Sequence, residues 1–184
     1  GNTIYFENTG TSLAPAFATS SSNPFNLSDI DRNSTPVFAD IDSDGDLDAF
    51  VGNIYGNTIY FENTGTSLTP AFAGSSSNPF NLDDVGNYSK PKFADLDGDG
   101  DLDAFIGNGD GGNTIYYENT GTSLAPTFAA SSSNPFSLDD IGSFAAPEFA
   151  DPDGDGDLDA FIGNNAGNTI YFENTGTSLA PAFA

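Results

Sequence analysis

Apolar residues arrive along this chain in short runs without strict alternation. Val37-Phe38-Ala39, Ala49-Phe50-Val51 and Ile59-Tyr60-Phe61 are each apolar or aromatic at three consecutive positions. Their richness in Ile, Val, Phe, Tyr and Thr predicts strands rather than helices. Successive side chains of a strand point to opposite faces, so three apolar residues in a row place apolar surface on both faces. A sheet of that kind has to be covered on both sides. Small sheets stacked face to face, like the blades of a propeller, meet the requirement.

The runs recur at a fixed period, and that period sets the architecture. Gly-Asn-Thr-Ile-Tyr-Phe-Glu-Asn-Thr-Gly begins at Gly1, Gly56 and Gly167, and a copy with Tyr in place of Phe begins at Gly112, giving spacings of 55, 56 and 55 residues. Residues 1–18 are identical to residues 167–184. The chain therefore divides into the second half of one repeat at 1–18 and whole repeats at 19–73, 74–129 and 130–184. It is expected to be a window on a longer periodic polypeptide. The fold class expected is all-β, with tandem four-stranded antiparallel units of about 55 residues. Three and a half such units do not close a ring, and an open, fibre-like array of the same units is the alternative.

Within the first whole repeat, four strands are predicted at about 36–40, 46–52, 57–63 and 69–73. Tyr55-Gly56, Gly109–Gly111 and Asn165–Gly167 supply turns between the second and third strands, using residues that reach positive φ at low cost. The fourth segment carries Pro15, Pro70, Pro126 or Pro181, which predicts an edge strand, where a missing N–H does no harm. The serine runs at 20–22, 75–77 and 131–133 are expected to be exposed linkers.

Between the first two strands of each repeat lies a nine-residue acidic segment. It reads Asp40-Ile-Asp-Ser-Asp-Gly-Asp-Leu-Asp48, then Asp95-Leu-Asp-Gly-Asp-Gly-Asp-Leu-Asp103, then Asp151-Pro-Asp-Gly-Asp-Gly-Asp-Leu-Asp159. Two like charges ~4 Å apart repel by about 4 kcal/mol at an effective dielectric near 20, so five carboxylates in one turn call for a counter-charge. The spacing suits calcium, which takes six to eight oxygens in flexible geometry. Carboxylates stand at positions 1, 3, 5 and 9, glycine at 6 makes the turn, and position 7 offers a carbonyl. An EF-hand is excluded, because position 12 is Val51, Ile106 or Ile162 in place of the glutamate that motif needs.

Composition narrows the function classes. The net charge is −24, with 27 acidic residues against Arg32, Lys90 and Lys92, so a nucleic-acid or anionic-membrane footprint is excluded. Three divalent ions would bring that charge to −18. The absence of Cys and His removes thiolate chemistry, the usual zinc ligands and the usual general base. No apolar run is long enough to span a bilayer. Glu7, Glu62, Glu118 and Glu173 recur at a strand end and are expected to close a turn rather than act as acids. Asn26, Asn33 and Asn87 begin N-x-Ser/Thr sequons.

The string Pro-x-Phe-Ala-Asp-x-Asp-x-Asp-Gly-Asp-Leu-Asp-Ala-Phe-x-Gly-Asn, followed by the Gly-Asn-Thr-Ile-Tyr segment, resembles the FG-GAP/VCBS repeats. These occur in the integrin α-chain N-terminal region and in large bacterial surface proteins. The resemblance covers nearly the whole chain and implies blade-like units with calcium in the hairpin loops. It implies side-chain ligands at Asp40, Asp42, Asp44 and Asp48 with the Asp46 carbonyl. The second set is Asp95, Asp97, Asp99 and Asp103 with the Asp101 carbonyl, and the third is Asp151, Asp153, Asp155 and Asp159 with the Asp157 carbonyl.

Three functions follow as expectations. The first is a calcium-stabilised structural or adhesive repeat segment of a long extracellular or cell-surface protein, able to form a filament. Its partners would be further repeats of the same chain or identical chains. The alternative is a ligand- or glycan-binding propeller, which predicts a repeat whose loops break the pattern. An enzyme is not expected, nor is binding to nucleic acid or insertion into a membrane.

Overall fold

The computed structural model describes all residues, 1–184. It is all-β, with only single turns of helix. A two-stranded remnant comes first, pairing β1 (Ile4–Tyr5) with β2 (Ser21–Ser22). Next is a four-stranded antiparallel sheet of β3 (Thr35–Ala39), β4 (Asp48–Gly52), β5 (Thr58–Phe61) and β6 (Ser76–Ser77). Its successor is β7 (Lys90–Ala94), β8 (Asp103–Gly107), β9 (Thr114–Tyr117) and β10 (Ser132–Ser133). The last sheet has three strands, β11 (Ala146–Ala150), β12 (Asp159–Gly163) and β13 (Thr169–Phe172). In each sheet the strands lie side by side in chain order, so every connection is a local hairpin or short excursion.

The fourth strand differs from the sequence expectation. It is the serine pair, Ser76 opposite Tyr60 and Ser77 opposite Ile59, and not the proline-bearing segment 69–73. That segment leaves the sheet because Asn63 turns it back on itself: its Oδ1 accepts N–H groups from Gly65 at 3.1 Å and Ala71 at 2.9 Å. A tight loop results, closed by the Asn63–Phe72 and Thr66–Thr69 bridges. Asn119 and Asn174 do the same in the following repeats. The expected linkers are therefore exposed edge strands. Proline sits instead on the opposite edge, at Pro36, Pro91 and Pro147 in β3, β7 and β11, where its missing donor is harmless.

Both faces of each sheet are used, as three apolar residues in a row require. In β4, Ala49 and Val51 face backward onto Leu27, Phe61 and Phe72. Phe50 faces forward and meets Phe93 of the next sheet, with ring centroids 4.3 Å apart. The same relation carries Phe105 to Phe149 at 4.4 Å. Asn-Pro-Phe turns clamp consecutive units. Phe80 takes positive φ (54°), a costly conformation for a bulky residue. Its carbonyl accepts the N–H of Phe128, which follows the third strand of the next sheet, at 3.0 Å. Phe25 with Phe72 and Phe136 with Phe183 repeat that bond at 2.9 Å. The stack is open: Phe38 on the first full sheet is 46% exposed and Tyr171 on the last is 44% exposed.

Candidate metal centres

Each acidic segment is the hairpin loop between the first two strands of its sheet. A glycine at position 6 makes the turn, with Gly45, Gly100 and Gly156 at φ of 94°, 95° and 99°. A Cβ at any of the three would meet nothing within 4 Å, so the backbone conformation alone demands glycine there. The carboxylates also hold the loop. Asp40 accepts the N–H groups of Asp44 at 3.1 Å and Gly45 at 3.2 Å, and Asp44 accepts that of Asp46 at 3.0 Å. Asp95 receives Gly100 and Asp99 receives Asp101, at 3.2 and 3.1 Å. Asp151 receives Gly156 and Asp155 receives Asp157, again at 3.2 and 3.1 Å.

The fold gathers positions 1, 3 and 5. One carboxylate oxygen from each of Asp40, Asp42 and Asp44 lies within 4.8 Å of the others, and the same holds for Asp95, Asp97 and Asp99 and for Asp151, Asp153 and Asp155. Position 7 adds a feature the sequence did not reveal. Asp46 and Asp101 are each only 9% exposed, and Oδ1 of Asp46, Asp101 and Asp157 is buried without a hydrogen-bond partner, as is Oδ1 of Asp95. An orphaned buried carboxylate oxygen is costly. Its recurrence in every loop fits a site built around a positive charge.

Position 9 is buried and stands outside these groups of three. Asp48 accepts the N–H of Asn63 at 2.7 Å through Oδ1 and the hydroxyl of Tyr60 at 3.0 Å through Oδ2. Asp103 has Asn119 and Tyr116 as partners at 2.8 and 3.0 Å, and Asp159 has Asn174 and Tyr171 at 2.7 and 2.8 Å. This carboxylate ties the loop to the end of the third strand, and each oxygen keeps a further acceptor site. The tyrosine and asparagine were not singled out from the sequence. Their signal was present, since both recur at one register in every Gly-Asn-Thr-Ile-Tyr segment. Glu62, Glu118 and Glu173 contribute mainly backbone: their carbonyls accept N–H bonds from Ala73, Ala129 and Ala184 at 2.8, 2.8 and 3.0 Å, while their side chains are exposed.

Burial dominates the electrostatics. It pushes the Asp48 carboxyl up to about 6 and that of Asp103 up to about 7, against the hydrogen bonds that favour the charged form. Burial, then the charges of Asp44, Asp42 and Asp40, raises Asp46. Burial also leads the upward shifts of Asp97, Asp101 and Asp157, with neighbouring carboxylates adding to it. The Tyr171 hydroxyl rises to about 12, first through its bond to Asp159.

These shifts fix a pH dependence for the chelator-treated protein. A carboxyl with a folded pKa above its unfolded value near 3.8 holds a proton in the fold that the unfolded chain has released. Its contribution is present at low pH and is lost as pH rises through the folded value. For Asp48 and Asp103 the window runs from about pH 4 to about pH 7. The chelated chain should therefore melt at a higher temperature at pH 5 than at pH 8. A melting temperature that rises between those values would contradict the assignment.

A family model described as FG-GAP-like repeat matches residues 40–106 and 95–162. A comparison with curated proteins found no match.

Proposed function

The chain belongs to the FG-GAP-like repeat family, and from that premise we propose that it is a calcium-stabilised structural or adhesive repeat segment of a long extracellular protein. The observation that carries the metal is the repeated loop, with three carboxylates within 4.8 Å and a buried, unpartnered carboxylate oxygen in each copy. Asp40, Asp42 and Asp44 would hold the ion in the first loop, with the Asp46 carbonyl and, from the anchored position, Asp48. Asp95, Asp97, Asp99, Asp101 and Asp103 would do so in the second, and Asp151, Asp153, Asp155, Asp157 and Asp159 in the third. A bound calcium ion supplies charge neutralisation and ties the loop together.

FG-GAP repeats are typical of extracellular or surface proteins. No helix of the chain is long and apolar enough to cross a membrane. The proposed role is not catalytic, in keeping with all-β repeats of this family. The partner we propose is a further unit of the same kind, on the same chain or an identical one. Support comes from the exposed Phe38, whose register equivalents Phe93 and Phe149 are 8% exposed beneath a preceding sheet.

Native mass spectrometry in dilute calcium tests the metal assignment. The chain should carry three ions, Asp44→Ala two, and Asp46→Ala three at weaker affinity, because position 7 keeps the carbonyl that any residue supplies and loses only a neighbouring negative charge. Equal losses in the two variants would refute the ligand roles.

A further inference from the structure

Two of the three acidic loops are not free hairpin tips. Position 2 of the loop is apolar in both, Ile41 and Leu96, and both side chains are buried, at 1% and 2% exposure. Ile41 lies in the apolar cluster that contains Phe93 and Phe128 of the following repeat. Leu96 lies in the one that contains Phe149 and Phe183 of the repeat after that. In the third loop the same position is Pro152, which is exposed.

A turn of the following repeat lies over each of these two loops. Thr177–Ala180 closes on itself through mutual N–H to carbonyl bonds at 3.2 and 3.0 Å. A Cβ built on Gly98, between Asp97 and Asp99, would come within 2.9 Å of the Ser178 carbonyl oxygen and of Leu179 Cδ2. At the first loop the corresponding turn lies across a cleft of about 320 Å³ lined by Asp42, Tyr60, Phe80, Leu124 and Pro126. Leucine exposure follows the same order. Leu124 and Leu179 are each 73% exposed, while Leu13 and Leu68, with no acidic loop in a preceding repeat to lie over, are 95% and 91% exposed. Asp40, Asp42, Asp95 and Asp97 are partly buried, whereas Asp151 and Asp153 are exposed and Gly154 has no atom within 4 Å of a built Cβ.

We infer that the acidic loops are joints between consecutive repeats, in which a divalent cation in the loop of one repeat and docking of the Thr-Ser-Leu turn of the next reinforce each other. The inference rests on the cation-binding reading above. The cluster of acids is not its only support, since Asp46 and Asp101 are residues nine-tenths buried, each with a buried and unpartnered carboxylate oxygen. Without a cation, the turn covers carboxylates that lose water and gain no counter-charge. With one, the same cover lowers the local dielectric and strengthens the attraction. Coupling of this kind is reciprocal: what the turn adds to cation affinity, the cation adds to docking.

Calcium titration of the ¹⁵N-labelled 184-residue chain, following the amides of Gly45, Gly100 and Gly156, resolves the three loops. Leu179→Ala changes an exposed turn residue and should shift the Gly100 midpoint to higher calcium by about five-fold or more. Gly45 should stay in place. Leu124→Ala should do the reverse, and neither variant should move Gly156. Gly98→Ala and Gly154→Ala form a matched pair, because both glycines have positive φ, at 72° and 78°. Only the first should loosen the joint and shift the amides of Ser178 and Leu179. Unchanged Gly100 and Gly45 midpoints in the leucine variants, with normal calcium responses in all three loops, would overturn the inference alone. No calcium response in any loop would overturn the cation reading and this inference with it.

Discussion

Replacing Phe105 by alanine is expected to lower the free energy of unfolding by about 3–5 kcal/mol, the usual cost of emptying a large aromatic site in a packed core. The ring is fully buried and lies between its own sheet and the next, 4.9 Å from Tyr116 and 4.4 Å from Phe149 between centroids. The cavity would open where two units meet, so neither can collapse onto it without leaving the other. Phe161 occupies the same register on the last sheet, with only Tyr171 as an aromatic neighbour, at 5.0 Å. It is partly exposed. Phe161→Ala should therefore cost much less. Urea denaturation of the two variants in saturating calcium measures the difference. Equal losses would mean that packing within a sheet, and not between sheets, holds the units together.

Removing calcium from the proposed sites is expected to be the second large effect. Ligand at ten times its dissociation constant stabilises a fold by about 1.4 kcal/mol per site, so the three proposed sites would contribute about 4. Total stabilities are typically about 5–15 kcal/mol. A chelator should thus lower the melting temperature substantially, and more at pH 8 than at pH 5, because Asp48 and Asp103 are costlier to bury once ionised. Magnesium should restore less than calcium, since it demands octahedral geometry and gives up its waters reluctantly. A melting temperature indifferent to chelator would leave 15 clustered carboxylates without a counter-charge, and the metal assignment would fall.

Much of this was legible in the chain. The runs around Phe50 and Phe105 implied sheets covered on both faces, and the structure covers both. The acidic loops fall between the first two strands, where the Asp spacing placed them. The edge strand was misplaced for a physical reason. Phe72 and Ala73 look more strand-like than Ser76-Ser77, but sheet position here is decided by a side chain. Asn63 Oδ1 captures two backbone donors and folds the apolar segment out of the ladder. Serine then pairs because its backbone reaches the edge, not because its side chain favours it. The burial of Asp46 and Asp101 was equally hidden. A carboxylate in an acidic run reads as solvated, and only the turn geometry brings its oxygen inside.

The chain-order arrangement of strands has a consequence for how a nearly identical set of repeats folds without confusion. Each strand has look-alikes about 55 residues away, and β3 could pair with β8 as readily as with β4 on side-chain grounds. Closing the hairpin to β4 spans only the eight residues 40–47, whereas reaching β8 spans the 63 residues 40–102. The entropy of the longer closure costs about 1.8 kcal/mol more, roughly a twenty-fold handicap in favour of the local partner. During synthesis the margin widens, because β4 leaves the ribosome before β8 has been made. Proximity along the chain thus does the proofreading that sequence identity withholds.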